Sequence, residues 1–275
     1  MQFKNLEDKC LYYRSLSDYK LLPNSYVLVM IDGRSFSHMV KNRFEKPFDD
    51  DFINMMNETA KEVCKQIQGC KLAYVQSDEI SFLLTDFDTP TTDAFFGNRL
   101  CKLQSIIAAI ATAKFNQLML VYNMKKNASS IYNVYDAVEY IEKTSLYQFD
   151  CKAWNVPTQN DALAWFLYRQ NDCIKNSKQQ AAQTYLSHKE LMNKHTDDQI
   201  EYLKIMKGID WHDYDLGKKY GRFIWKEARQ YTSDFGKGPV EYIRHEWIVH
   251  TLEEPLTDQK IREDFLKENI IPKLL

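Results

Sequence analysis

The stretch that most limits what this chain can fold into is Ala73–Leu84, AYVQSDEISFLL. Two apolar runs of strand-forming residues, Leu72–Val75 and Ile80–Leu84, flank the polar cluster Gln76-Ser77-Asp78-Glu79. That pattern predicts a hairpin with acids at its apex. A second acidic terminus lies in Tyr26–Gly33, YVLVMIDG, an almost wholly apolar run ending in Asp32-Gly33. Continuous apolar runs mark strands buried on both faces. If the first strand pairs beside the hairpin, Asp32 and Asp78 meet at one sheet edge. Carboxylates held together repel unless positive charge sits between them. Two Mg²⁺ ions are the expected cofactor, because Mg²⁺ takes oxygen ligands from one or two carboxylates plus substrate phosphates. The residues alone therefore point to two-metal phosphoryl or nucleotidyl transfer.

The rest of the chain supplies the partners of these strands. Residues 3–20 read as a short amphipathic helix. Asp49–Gln68 has helical spacing with acids in its first turn, and Gly69 stops it. A second long helix is predicted over Phe95–Met119 and a last strand over Phe149–Val156. The order β-α-β-β-α-β is the ferredoxin-like, split βαβ pattern of an α+β domain. Residues 122–147 read as an insertion with moderate helix content. The chain divides into a catalytic domain over 1–157 and a C-terminal helical subdomain over 158–275 that contributes to the site. Helices are expected at Asp161–Lys175 and after the capping boxes Ser187-His188-Lys189-Glu190 and Thr196-Asp197-Asp198-Gln199. Residues 218–250 then mix basic and aromatic side chains, and Val240–His250 alternates partly like a strand.

Net charge is −2, so any nucleic-acid partner must be held by local basic patches. Six cysteines (Cys10, Cys64, Cys70, Cys101, Cys151, Cys173) form no CxxC pair and read as reduced, mostly buried thiols of a cytoplasmic protein, a mitochondrial location being the alternative. No apolar run approaches the roughly 20 residues a membrane helix needs, and no signal peptide is read at the N-terminus. The histidines show no zinc spacing.

Further candidates carry a chemical reading and a plainer one. Lys46 could reach a triphosphate as a point charge or sit solvated before a helix. Arg99 and Lys102 share a helix face and could meet phosphate or only water. Ser77 could bond a phosphate oxygen or close the turn. Arg169, Gln170, Asn171 and Asn176 follow the aromatic run Trp165–Tyr168 and suit RNA contact, or else belong to a core helix. Lys218, Lys219 and Arg222 have the density of a phosphate-backbone footprint, or of a solvated helical face.

With these residues in hand, the chain resembles the tRNA-His guanylyltransferase family, and within it the Thg1-like branch. The motifs that carry the resemblance are Ile31-Asp32-Gly33-Arg34-Ser35-Phe36, Lys46-Pro47, Gln76-Ser77-Asp78-Glu79-Ile80-Ser81-Phe82, and Arg169-Gln170-Asn171-Asp172 with Asn176-Ser177. The resemblance implies a polymerase-palm-like domain that adds nucleotides in the 3′→5′ direction to the 5′ end of a tRNA, using ATP, GTP or other nucleoside triphosphates. It implies that Asp32, Asp78 and the Gly33 backbone bind two Mg²⁺, with Glu79 catalytic. It places Gly33, Arg34, Ser35, Phe36, Lys46, Ser77, Arg99 and Lys102 around the nucleotide, and it implies a homotetramer. One departure stands out: Ile174-Lys175-Asn176-Ser177 replaces the His-Ile-Asn-Asn run of the eukaryotic tRNA-His enzymes. That favours template-dependent repair or editing of truncated tRNA 5′ ends over addition of a single G. A nucleotide cyclase and a non-catalytic RRM-like RNA binder are the rival classes.

Overall fold

The computed structural model describes residues 3–127, 136, 138, 141–142, 144–234 and 238–270; residues 128–135, within the expected insertion, lie outside the described set. Strand β1 (Tyr26–Gly33) pairs antiparallel with β3 (Glu79–Leu84) on one side and β4 (Phe149–Val156) on the other. β3 pairs in turn with β2 (Cys70–Gln76). β3 thus lies between β1 and β2, splitting the unit that helix α3 (Asp50–Gln66) connects. The fold is α+β with an antiparallel sheet.

β1 is apolar throughout because it is buried from both sides. Val27, Val29 and Ile31 face a core covered by α3 and by α4 (Leu100–Lys126), whereas Tyr26 and Leu28 face a second core under α5 (Gln159–Tyr185). The hairpin strands do the same: Phe82 and Ile80 point to the first core, Leu83 and Tyr74 to the second. Asp49 caps α3, its side chain accepting from the Phe52 N–H at 3.0 Å. Trp165 on α5 donates from Nε1 to the Ser81 hydroxyl on β3 at 3.0 Å, pinning that helix to the hairpin.

Several elements differ from the sequence reading, each for a local reason. α4 starts at Leu100 because Phe96, Gly97 and Asn98 all adopt left-handed backbone that no helix can carry. A short helix α2 (Phe36–Arg43) fills the interval between Gly33 and Lys46. α5 runs ten residues past its expected end, because Ala181 and Ala182 stay buried in a third cluster with Leu191, Ile200, Leu203 and Trp211. Short α6 (His188–Leu191) starts at the Ser187–Glu190 capping box as expected. α7 (Thr196–Lys207) starts one residue earlier than its box suggests: His195 is the cap, and its N–H donates to Asp198. Helix α1 (Leu6–Ser15) buries no residue. By length and composition α4 could cross a membrane, contrary to the expectation from continuous runs. Its buried residues Leu103, Ile107, Ala111, Phe115 and Met119 recur every fourth position and cover the sheet, the spacing of a core helix. The cysteines are free thiols, but only Cys64 and Cys173 are buried, and Cys10 and Cys101 are exposed.

The C-terminal part is not purely helical. After α8 (Leu216–Tyr220), strands β5 (Arg222–Asp234) and β6 (Pro239–His250) form a long hairpin, followed by α9 (Gln259–Phe265). Residues 222–225 of β5 pair with residues 72–75 of β2, giving one six-stranded sheet in the order β4-β1-β3-β2-β5-β6. The sheet therefore crosses the expected boundary at residue 157. Strand chemistry explains it: Phe223, Ile224 and Trp225 are β-formers that bury against Tyr74 and Trp247.

Candidate active site

The β1–β3 register sets Asp32 directly opposite Glu79, and the β1–β4 register sets Asp150 on its other side. Directly opposed residues of antiparallel strands share a face, so these three carboxylates form a row on the α5 side of the sheet. The turn adds the fourth: the Gly33 N–H donates to the Asp78 carbonyl at 3.1 Å, holding the end of β1 to the hairpin tip. Burial pushes the Asp32 carboxyl up to about 6, helped by the charges of Asp78, Glu79 and Asp150 against the pull of Lys152. Burial likewise raises Asp78, although its own backbone N–H and the Ser77 hydroxyl favour its anion. Burial raises Glu79 too, against the pull of Arg169.

The acids open on a cavity of about 500 Å³. Lys41 and Lys46 line one part of it, and Lys218 and Arg222 another. The wall from α5 presents the uncharged amides Asn176, Gln179, Gln180 and Gln183. Arg169 reaches from α5 to the hairpin tip, donating from Nε and Nη2 to the two Glu79 oxygens at 2.7 and 2.5 Å, and to Asp172 at 3.2 Å. Arg169 is thus an ion-pair partner of the hairpin tip that also lines the cavity.

The structure brings Asp32, Lys46, Ser77, Asp78, Glu79, Arg169, Asn176, Lys218 and Arg222 to this cavity, with Gly33 tied to the hairpin tip beside it. Gly33 has no room for a side chain, since a Cβ would stand 2.4 Å from the Phe36 ring. Phe36 itself is buried against Phe115, Tyr147 and Phe149, so its ring belongs to the core and not to a nucleotide. Arg34 is exposed and donates to the Gln148 side chain at 3.0 Å. Ser35 holds a left-handed turn before α2. Arg99 and Lys102 do not line the cavity, and Arg99 pairs with Asp18 at 3.6 Å. Two expected RNA contacts are internal: Gln170 bridges the Tyr220 carbonyl and the Leu256 N–H, and Lys219 is buried and donates to the His212 carbonyl. Arg222 is also buried, beside Asn57, but lines the cavity. Asn171 is exposed on α5.

Sequence reasoning missed Asp150 and the α5 amides. Asp150 was legible in principle as a lone acid opening the strand FDCKAWNV, and Gln179, Gln180 and Gln183 as amides spaced three and four apart on one helix face. Among the described residues no group of three or more His, Cys, Asp or Glu is arranged to hold a metal unaided. Asp32 and Asp78, both lining the cavity, are oxygen donors that could hold one.

Paired acids at a sheet edge, opening on a cavity with cationic and amide walls, have the make-up of a nucleotidyltransferase site. The family model described as tRNAHis guanylyltransferase matches residues 9–157. The chain belongs to that family, as its motifs suggest. A probable tRNA(His) guanylyltransferase from Dictyostelium discoideum is 28% identical over 227 residues, covering 78% of this chain and 80% of that protein. A bacterial Thg1-like protein solved in complex with ATP is 32% identical with a TM-score of 0.78, covering 98% of this chain and 100% of that one. A bacterial Thg1-like protein in complex with GTP is 30% identical with a TM-score of 0.71, covering 95% and 97%. The Saccharomyces cerevisiae tRNA(His) guanylyltransferase, 22% identical with a TM-score of 0.61, covering 85% of this chain and 95% of that one, shares the fold.

Proposed function

We propose that this protein is a 3′→5′ nucleotidyltransferase that extends the 5′ end of truncated tRNAs by copying the opposite strand. The observation that carries the reading is the meeting of Asp32 with Asp78 and Glu79 at one sheet edge, beside a cavity large enough for a nucleotide. The split order of the first four strands supports a palm-like, ferredoxin-like description of that edge.

Two Mg²⁺ ions suit the donor set. Burial, and with it the neighbouring acids, pushes Asp32 up; the clustered carboxylates leave a surplus of negative charge, and hard oxygen donors with open positions for phosphate are what Mg²⁺ takes. Asp32, Asp78 and the Gly33 carbonyl would hold them, and when bound they would supply acidification of the attacking hydroxyl and neutralisation of the leaving group. In this reading the incoming nucleotide's 3′-hydroxyl attacks the 5′-phosphorus of the RNA and expels the group bonded to it: pyrophosphate from a 5′-triphosphate end, AMP or GMP from an end first activated with ATP or GTP. Lys46 is the point charge for a triphosphate, and Ser77 steadies Asp78 through its hydroxyl. Arg169 fixes the Glu79 carboxylate in one orientation.

Ile174, standing where the eukaryotic enzymes carry histidine, favours the template-dependent branch over single-G addition. Higher similarity to the bacterial Thg1-like structures than to the yeast enzyme agrees with it. Use of ATP or GTP follows from what those neighbours bind. A homotetramer belongs to the same proposal on the family resemblance alone, and a cytoplasmic location on the free cysteines. The test is to incubate the protein with a 5′-truncated tRNA, the four nucleoside triphosphates and Mg²⁺, and to sequence the 5′ end. Template-matched extension that Asp78→Ala abolishes supports the reading. Addition of one untemplated G to a histidine tRNA alone overturns the branch.

A further inference from the structure

Arg222 opens β5 and is only 6% exposed. Its Nε donates to the Asn57 side-chain oxygen at 2.9 Å and its Nη1 to the Gly217 carbonyl at 2.9 Å. Nη2 is closed to solvent and has no partner. None of these contacts is a carboxylate; the neighbouring titratable groups are the Tyr74 phenol and the Cys173 thiol, both neutral at pH 7. A guanidinium does not give up its proton in a protein, so this is a buried cation without a counter-charge. Buried charges are normally paired, and an unpaired one is costly.

The position of this cation is informative. Arg222, Gly217 and Lys218 border both the main cavity and a second one of about 390 Å³ beside it. Lys218 adds a second positive charge on the same wall. Its Nζ is held by Asp50 at 2.8 Å and Asp215 at 3.3 Å, yet those carboxylates are 74% and 80% exposed. Ion pairs with such exposed partners are worth little and are easily surrendered. The planar fork of an arginine matches the oxygens of a phosphate, and a lysine alongside adds a mobile charge.

We propose that Arg222 and Lys218 form a phosphate subsite in the wall between the two cavities, separate from the acidic edge and able to take its anion without metal. The nucleotidyl-transfer reading supplies only the identity of the anion as phosphate. Two sources share that chemistry: the polyphosphate tail of a nucleotide and a phosphate of the RNA chain.

The test uses the full chain in EDTA, with inorganic tripolyphosphate and a 5′-hydroxyl RNA oligonucleotide as probes, and affinity read by calorimetry. Wild-type protein binds at least one probe without metal. Arg222→Met weakens that binding about ten- to a hundredfold, the loss expected for one charged hydrogen-bonding partner. Lys218→Ala, which leaves the buried arginine in place, weakens it about threefold or more, and decides the matter if Arg222→Met does not fold. Loss confined to tripolyphosphate assigns the subsite to the nucleotide tail; loss confined to the oligonucleotide assigns it to the RNA backbone. Wild-type protein that binds neither probe, or variants that bind both unchanged, overturn the proposal. Because no metal or turnover is involved, its failure leaves the extension reaction untouched, and a failed extension assay leaves it untouched in turn.

Discussion

Arg169 on helix α5 grips both oxygens of Glu79 at the start of β3, at 2.7 and 2.5 Å, across 90 residues of sequence. Both side chains are 12% exposed. The contact makes the helix and the acidic hairpin tip one mechanical unit.

Removing one partner leaves the other charged and half-dehydrated. Glu79→Gln and Arg169→Met are each expected to cost about 3–5 kcal/mol of stability. The double variant should lose clearly less than the sum, since neither charge is then stranded. Urea unfolding of the four proteins measures this; strict additivity would show the pair to be uncoupled.

Asp32 couples folding to pH. Its folded pKa, about 6, lies above the ordinary carboxylate value of 3.8. Between those values the folded state keeps a proton that the unfolded chain has lost, so rising pH works against folding, and the penalty is complete above about 6. In EDTA, Asp32→Asn should therefore match wild type near pH 3.5 and melt higher than wild type at pH 7. Mg²⁺ at pH 7 should raise the wild-type melting temperature and leave Asp32→Asn little changed. Equal melting curves at every pH would contradict the crowding of acids at this edge.

Gly221 sits at φ +75°, and a Cβ there would lie 2.3 Å from the Tyr74 hydroxyl. That hydroxyl donates to the Tyr220 carbonyl at 2.8 Å. Gly221→Ala is expected to cost about 2–4 kcal/mol through left-handed backbone and overpacking together. Adding Tyr74→Phe removes the closest clashing atom and should recover part of the loss, visible as a rise in midpoint denaturant concentration.

Phe36 separates a core role from a binding role. Truncation to alanine should cost about 3–5 kcal/mol. Phe36→Leu, which keeps most of the apolar volume, should fold with an unchanged KM for nucleoside triphosphate in the extension assay. A raised KM with normal stability would return the ring to the nucleotide.

The parts of the fold that were legible in the sequence are those where burial writes a period. YVLVMI is apolar at every position because β1 has a core on each face, and the hairpin around Ser77 follows from the same logic. The acids at the edge were legible because they break those runs. What stayed hidden depended on long-range closure. Lys219 and Arg222 read as a surface patch, since nothing local says that a strand will bury one beside Asn57 and that the other will turn inward to the His212 carbonyl. Gln170 read as an RNA contact for the same reason, although its amide joins α5 to Tyr220 and Leu256. Asp150 shows in the sequence only as a lone acid opening a strand, and it gains its weight from the register that places it opposite Asp32.

The pairing of residues 72–75 with residues 222–225 has a consequence for how the molecule is made. As the chain leaves the ribosome, the strand that carries Gln76 must wait for about 150 more residues before its outer edge finds a mate. During that wait it offers bare amides and carbonyls to any other nascent copy nearby. A fragment ending at residue 157 would keep that exposed rim permanently and should clump, even though it holds every acid of the catalytic edge.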